Sequence, residues 1–407
     1  MPSKDLERFL ALLSTFDHRQ GVKLFDELAR DPANAGPILH ELLLVASNHD
    51  DPQLHTPHGL LTIQAARDLL LLTRPPGGAG LLRFLVLYNF SLVKRPLTGI
   101  QANTNARAVP SASLDDLRVA YRKAVAGNLG TQSAAVLGRI ALDHGIEAAA
   151  HTAIRASLDD LGRLGHNLVV SVGYAEASVA LGLPRALVPL ANLGHLQANA
   201  LAGVRPADIP TLGTTEDVVP DVDHLGALVE AWDFDQVEPV LRSFAAHGLS
   251  DVAYTPLLIA ASADPGFLGH TLSLAHCARL ATHYLTPSEN AWLLWKLYRT
   301  LTSRFGYPEF LKLGPGAAMA AEAILPALES SLRYKSPPAE ETVRRALEGG
   351  VSLERIIEFV VDFYGNWTVG EKEHTILYLD AALQTAKFLG RESALLPLAI
   401  ALSKLPF

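Results

Sequence analysis

Apolar residues along this chain recur at spacings of three and four, as in LERFLALL (6–13) and LLRFLVLYNFSLV (81–93). That is the spacing of a helix with one buried face. Strand-like alternation is scarce. The short β-branched run LVVSVGY (168–174) is flanked by helix-like sequence and reads as buried helix. Gly and Pro stand between the apolar stretches, as in RPPGGAG (74–80) and LGPGAA (313–318), where they end one helix and start another. Leu and Ala dominate, which suits helices. The pattern predicts an all-α chain.

A longer period lies over the helical one. Residues 11–28, ALLSTFDHRQGVKLFDEL, line up with 227–244, ALVEAWDFDQVEPVLRSF; apolar positions coincide, and Asp17 and Gln20 fall on Asp233 and Gln236. Ala66-Arg67 and Ala278-Arg279 match further on. Two weaker copies, starting near Ser113 and Pro337, share a helix ending in a Gly-rich turn, two further helical stretches and a terminal apolar segment. The expectation is one helical-repeat domain of four repeats of about 100 residues, at about 1–105, 106–205, 220–325 and 326–407. They form two similar halves, in A-B-A-B order around a central site, with a Pro-, Thr- and Asp-rich linker at about 203–222. Such units stack because one alone cannot bury its apolar face. The C-terminal LPLAIALSKLPF (396–407) reads as the last core helix in preference to an interface.

Composition agrees with a large core: 49% of residues are apolar and only 19% charged. A net charge of −8 with no basic stripe argues against a nucleic-acid partner. No apolar run is long enough to span a bilayer. The N-terminus lacks a signal peptide's cleavage pattern. The one cysteine, Cys277, excludes an internal disulfide framework. Together these features lead one to expect a cytoplasmic protein that does not meet a membrane, with Cys277 as a small buried residue.

Four histidines carry the candidate chemistry. His58, His166, His270 and His374 are 108, 104 and 104 residues apart and occupy the same place in the four copies. Each opens a helix-like run: HGLLTIQAARDLLLL, HNLVVSVGYAEASVAL, HTLSLAHCARLATHYL and HTILYLDAALQTAKFL. In a curved repeat protein, equivalent positions can face a common centre. Neutral imidazole is a good ligand for Fe(II), Zn(II), Cu(II) and Ni(II). Four imidazoles leave the metal's charge uncancelled and can leave a coordination position open for dioxygen or an anionic substrate. A closed four-histidine zinc site would be structural. The competing reading is local: each histidine caps its own helix or bonds a nearby loop carbonyl. Against it, Ser, Thr, Asp or Asn would cap better, and none stands at any of the four positions.

Six residues after these histidines come Gln64, Val172, His276 and Asp380. His276, Asp380 and Tyr378, which lies one turn after His374, are candidates for proton transfer or substrate hydrogen bonding. The alternative is paired polar groups at a helix contact. His49 and His55 crowd near His58 but lack counterparts in the other copies. His144 and His151 are seven apart and could share a helical face; the favoured reading is that they are solvent or core partners. His40-Glu41 is the lone His-Glu pair, too few for a helical-repeat di-iron site. No haem, flavin or nucleotide motif, nucleophile elbow or Cys-pair zinc motif is present.

The segments SNHDDPQLHTPHGLL, LGHNLVVSVGYAEA, LGHTLSLAHCARLATHYL and EHTILYLDAALQTA resemble the four histidine segments of the questin oxidase-like family, in order and rough spacing over most of the chain. The resemblance implies a non-haem iron oxygenase of aromatic polyketides such as anthraquinones. Carried over, the iron ligands are His58, His166, His270 and His374. The family's auxiliary carboxylated lysine is not matched: Leu377 and Tyr378 stand where it is expected, and Lys372 is a poor substitute. Asp380 or water could take that place. The expected function is therefore a mononuclear Fe(II)-dependent oxygenase, another divalent metal being possible. Its partners are dioxygen and a small aromatic or quinonoid substrate. The alternatives are a non-enzymatic helical scaffold for a partner protein, a zinc-dependent hydrolase and a structural zinc protein.

Overall fold

The computed structural model describes residues 4–13, 17–47, 58–73, 78–92, 104–211, 219–301, 321–334, 336–366 and 372–403. Among them there is no strand, and α-helices joined by loops and short 3-10 turns make up the fold. The first ten are α1 (Lys4–Leu12), α2 (His18–Leu28), α3 (Ala35–Ser47), α4 (His58–Leu71), α5 (Ala79–Leu92), α6 (Leu114–Ala126), α7 (Gly130–His144), α8 (Ile146–Ser157), α9 (His166–Leu181) and α10 (Leu187–Ala200). The rest are α11 (Val222–Glu230), α12 (Phe234–Ala246), α13 (Thr255–Ala263), α14 (His270–Ala281), α15 (Pro287–Leu301), α16 (Ala321–Tyr334), α17 (Ala339–Glu348), α18 (Leu353–Asn366), α19 (Lys372–Ser393) and α20 (Leu395–Ser403). The four histidines sit on the fourth, ninth, fourteenth and nineteenth of these twenty helices. No described helix is long and apolar enough to cross a membrane. LVVSVGY is buried helix within α9, as its flanks predict. RPPG of the first Gly/Pro segment, the whole of LGPGAA, and both His49 and His55 lie outside the described residues.

The chain forms two compact units: Met1–Pro206 with Val361–Thr368, and Ala207–Val360 with Val369–Phe407. In the first unit α10 lies on α7 at the distance only glycine allows. A Cβ on Gly194 would stand 2.7 Å from the backbone of Ala134. Ser133 seals the contact by donating to the Gly194 carbonyl at 2.7 Å. Gln197 then ties four helices: it accepts from the Tyr121 hydroxyl at 2.5 Å and donates to the Ala153 carbonyl at 2.8 Å and to Ser171 Oγ at 2.7 Å. Every polar atom of that buried amide is engaged, so the network fixes register without an unpaired group. Gly194→Ala is expected to destabilise the protein by about 1–3 kcal/mol, because the methyl meets backbone and not a side chain that can swing away. Chemical denaturation of the two forms checks this. In the same unit α4 packs on α9, the Leu61 side chain lying over Gly173 so closely that a Cβ there would overlap it.

In the second unit α20 packs against α13, α17 and α19. Its Leu395, Leu396, Leu398, Ala401 and Leu402 are buried, so the apolar C-terminal segment is a core helix as far as Ser403, and 404–407 lie outside the described residues. The Asp-Gln correspondence between the halves has a local cause. Asp17 precedes α2 with φ −80° and ψ 67°, and Asp233 precedes α12 with φ −87° and ψ 66°. Asp17 accepts the Gln20 N–H through its side chain, whereas the Asp233 backbone carbonyl accepts that of Gln236, each at 3.1 Å. Both are helix starts that leave the first N–H groups to be met locally.

One open alternative is settled and one expectation needs correction. His144 ends α7 and His151 lies in α8, because Gly145 at φ +94° breaks the helix between them. They do not share a face: His144 Nε2 bonds the Ala112 carbonyl at 3.1 Å, and His151 Nδ1 accepts from Arg118 at 2.9 Å. Cys277 is half-exposed instead of buried, since its position on α14 turns it partly away from the core.

Candidate functional site

Two of the four histidines are introduced by the same unusual turn. Before α14, Asp264 Oδ1 accepts the Gly266 N–H at 3.2 Å. The chain then passes through Gly266 (φ +73°), Leu268 (φ +50°) and Gly269 (φ +80°) into His270 at helical dihedrals. The Thr271 N–H closes the turn on the Pro265 carbonyl at 2.9 Å. Before α9, Asp160 Oδ1 accepts the Gly162 N–H at 2.8 Å, the left-handed residues are Gly162 (φ +76°), Leu164 (φ +57°) and Gly165 (φ +80°), and the Asn167 N–H closes on the Leu161 carbonyl at 3.0 Å. The sequence signal is Asp-x-Gly-x-Leu-Gly-His at 160–166 and again at 264–270. The match is legible 104 residues apart, although Pro57 and Glu373 before the other two histidines break it there.

The turn sets the chemistry of the ring. His270 Nδ1 lies 2.6 Å from the Phe267 carbonyl, and His166 Nδ1 lies 2.5 Å from the Arg163 carbonyl. A carbonyl can only accept, so Nδ1 carries the proton and the lone pair sits on Nε2. Neither imidazole caps its own helix; the cap positions are Gly165 and Gly269, which offer no side chain. Of the two local roles open to these histidines, bonding a loop carbonyl is the one taken. It is also how metal-ligating histidines are oriented in general.

In the second unit α14 packs on α19, and this brings His270 to His374. Their ring centroids are 5.3 Å apart at an interplanar angle of 46°. The Phe267 ring, 71% exposed, lies beside His270 at 6.2 Å. Tyr378 is buried against the turn, its ring on the Gly269 backbone where a Cβ would overlap it. One and a half turns further along, His276 and Asp380 are both buried and face one another, Nε2 to Oδ2, at 3.9 Å. That is too long for a hydrogen bond. It is not an ion pair near neutrality either. Burial, with the nearby Arg279 charge, pushes His276 down to about 3, so its ring is neutral. His276 Nδ1 has no hydrogen-bond partner among the described residues. Arg279 is held by Asp251 at 3.1 Å and lies 4.5 Å over the Phe388 ring.

The neutral, buried His276 makes stability depend on pH. Its folded pKa lies below its unfolded value, so the unfolded chain binds the extra proton between pH 6.5 and about 3. Its contribution is complete above pH 6.5 and is lost as pH falls through that window, by up to about 1.4 kcal/mol per pH unit. His276→Gln is expected to flatten that part of the stability curve, as measured by denaturation from pH 7 to pH 4.

In the first unit His58 opens α4 and His166 opens α9, the two helices that pack through Leu61 and Gly173. The sixth residue after each is again buried, Gln64 and Val172. Beyond them lies a charged cluster that sequence reasoning missed. Gln64 Nε2 donates to both oxygens of Asp68, at 2.9 and 3.1 Å, and Arg67 pairs with Asp68 at 3.1 Å. Burial, reinforced by the charge of Glu176 on α9, pushes the Asp68 carboxyl up to about 6. Burial lowers His40, helped by Arg67 and Arg185, and raises Glu41, which Arg185 partly offsets from 3.3 Å. Asp68 and Glu176 each stand ten residues after a site histidine. Two acids on mostly apolar helices were the readable hint.

Among the described residues, no three His, Cys, Asp or Glu side chains gather closely enough to hold one metal ion. No family model, no curated protein and no solved structure matches this chain.

Proposed function

We propose that this chain is a mononuclear non-haem iron-dependent oxygenase acting with dioxygen on an aromatic or quinonoid, polyketide-like substrate in the cytoplasm. His58, His166, His270 and His374 would hold the iron. The observation that carries the reading is the His270–His374 pair, 5.3 Å between centroids. Two imidazoles bound to one ion at about 2.1 Å with a tetrahedral angle would have centroids roughly 5 Å apart, so the pair fits as half of a four-histidine set. A second support is the lone pair placed on Nε2 of both His166 and His270. A third is the order of α-helices among the described residues, in which the histidine helix comes fourth in each successive run of five. That order favours four repeats, each presenting one histidine from the same place.

The iron would supply a Lewis acid and a place for oxygen. The protein's own groups do the rest. His276 holds a hydrogen-bonding ring that stays neutral, with Nδ1 available to a substrate hydroxyl or carbonyl. Asp380, whose Oδ2 stands 3.9 Å from its Nε2, would exchange a proton there once the two close to hydrogen-bond distance. Tyr378 packs the turn that aims His270 and orients what lies against it. Helix-borne ligands supply the rigidity such a site needs. The test is oxygen consumption by anaerobically Fe(II)-loaded protein across a panel of hydroxylated anthraquinones and simpler phenols. Substrate-dependent uptake supports the reading, and uptake no faster than with free Fe(II) overturns it.

A second reading, a helical scaffold that binds a partner protein, is favoured by one observation: His166 and His270 each bond a carbonyl of their own turn, the local role open to an inherited histidine. It predicts that replacing all four histidines leaves folding and partner binding intact.

A further inference from the structure

We propose that the turn Asp-x-Gly-x-Leu-Gly, at 160–165 and 264–269, is a positioning device that places the proton of the following histidine on Nδ1, with Asp160 and Asp264 as its positioning residues. The inference rests on the reading of His166 and His270 as ligands and adds how their donor atom is chosen.

The two turns agree in every feature that bears on the ring. Gly162 and Gly266 have φ +76° and +73°, Leu164 and Leu268 +57° and +50°, and Gly165 and Gly269 both +80°. The side chain of the residue after the histidine covers the first glycine in each. A Cβ on Gly162 would lie 2.8 Å from Asn167 Cγ, and one on Gly266 would overlap the Thr271 side chain. A leucine at positive φ is costly where glycine or asparagine would be cheap. Such a conformation persists only where its surroundings over-determine it. Here the aspartate bond at one end and the closing N–H at the other hold it. What the conformation achieves is specific: it turns the carbonyl of Arg163 or Phe267 back onto Nδ1 of its own histidine, at 2.5 and 2.6 Å.

The test begins on metal-free protein labelled with 15N at histidine, using long-range imidazole spectra assigned with His166→Gln and His270→Gln. The expected result is that both rings carry the proton on Nδ1. His247 supplies the reference, since its Nδ1 faces the Ser243 carbonyl at 2.9 Å. Asp264→Ala and Asp160→Ala are then expected to give their histidine a mixture of tautomers with the circular dichroism unchanged, and to weaken Co(II) binding by roughly 10-fold or more. Asp264→Asn and Asp160→Asn keep the accepting oxygen and restore both readouts. A proton on Nε2 in the unmodified protein overturns the inference without any variant having to fold. So does an unchanged tautomer in both alanine variants. Nδ1 protonation in a protein that binds no Co(II) or Fe(II) supports the turn's role while overturning the metal reading.

Discussion

Replacing His374 by alanine is expected to abolish iron binding and oxygen uptake while leaving the fold intact. The imidazole is half-buried at the start of α19, and its neighbour is the ring of His270, 5.3 Å away. Little apolar area is lost with it, so the unfolding free energy should change by less than about 1 kcal/mol. Metal affinity should respond very differently. Removing an outer partner of a ligand already costs about 10- to 100-fold, and removing the ligand costs at least that. His270→Ala should match it in affinity but cost more stability, because it also strips the Phe267 carbonyl of its imidazole donor. Metal titration and thermal unfolding on the same samples check both parts. Equal affinity in His374→Ala and the unmodified protein would remove His374 from the site.

Gly269→Ala carries the largest expected effect on folding. Gly269 has φ +80°, where an L side chain costs about 1–2 kcal/mol, and its Cβ would overlap the Tyr378 ring. Tyr378 is buried and cannot swing into solvent, so the overlap adds a packing cost of about 1–3 kcal/mol. Gly248→Ala separates the two contributions, since Gly248 ends α12 at φ +70°, with the Leu249 N–H closing on the Phe244 carbonyl and nothing within 4 Å of its Cβ. The loss at Gly269 should exceed that at Gly248 by the packing share, as read from denaturant midpoints. Equal losses would mean that the Tyr378 ring yields.

Much of this was readable from residue order. The spacing of apolar residues marks helices directly, and three of the four histidine runs begin a helix at the histidine itself, the fourth two residues earlier. The buried polar pair His276 and Asp380 is legible from register alone, because the sixth residue after each histidine keeps the same azimuth relative to it on a helix. Depth was not readable. Cys277 and His276 are adjacent in sequence, and periodicity does not say that one is half-exposed and the other buried. The break at Gly145 was also missed, since LDHGIEAAAHTA has helical spacing on both sides of a residue whose φ of +94° only the backbone reveals. Asp68 on α4 feels the repelling charge of Glu176 on α9, and such a juxtaposition follows from tertiary packing, which no local pattern encodes.

The most direct measurement is the iron content of the protein after anaerobic addition of Fe(II) and removal of the excess, by mass spectrometry, beside a His166→Ala/His374→Ala double variant. The account predicts about one iron per chain in the unmodified protein and almost none in the variant. No iron in either, or the same amount in both, would contradict it.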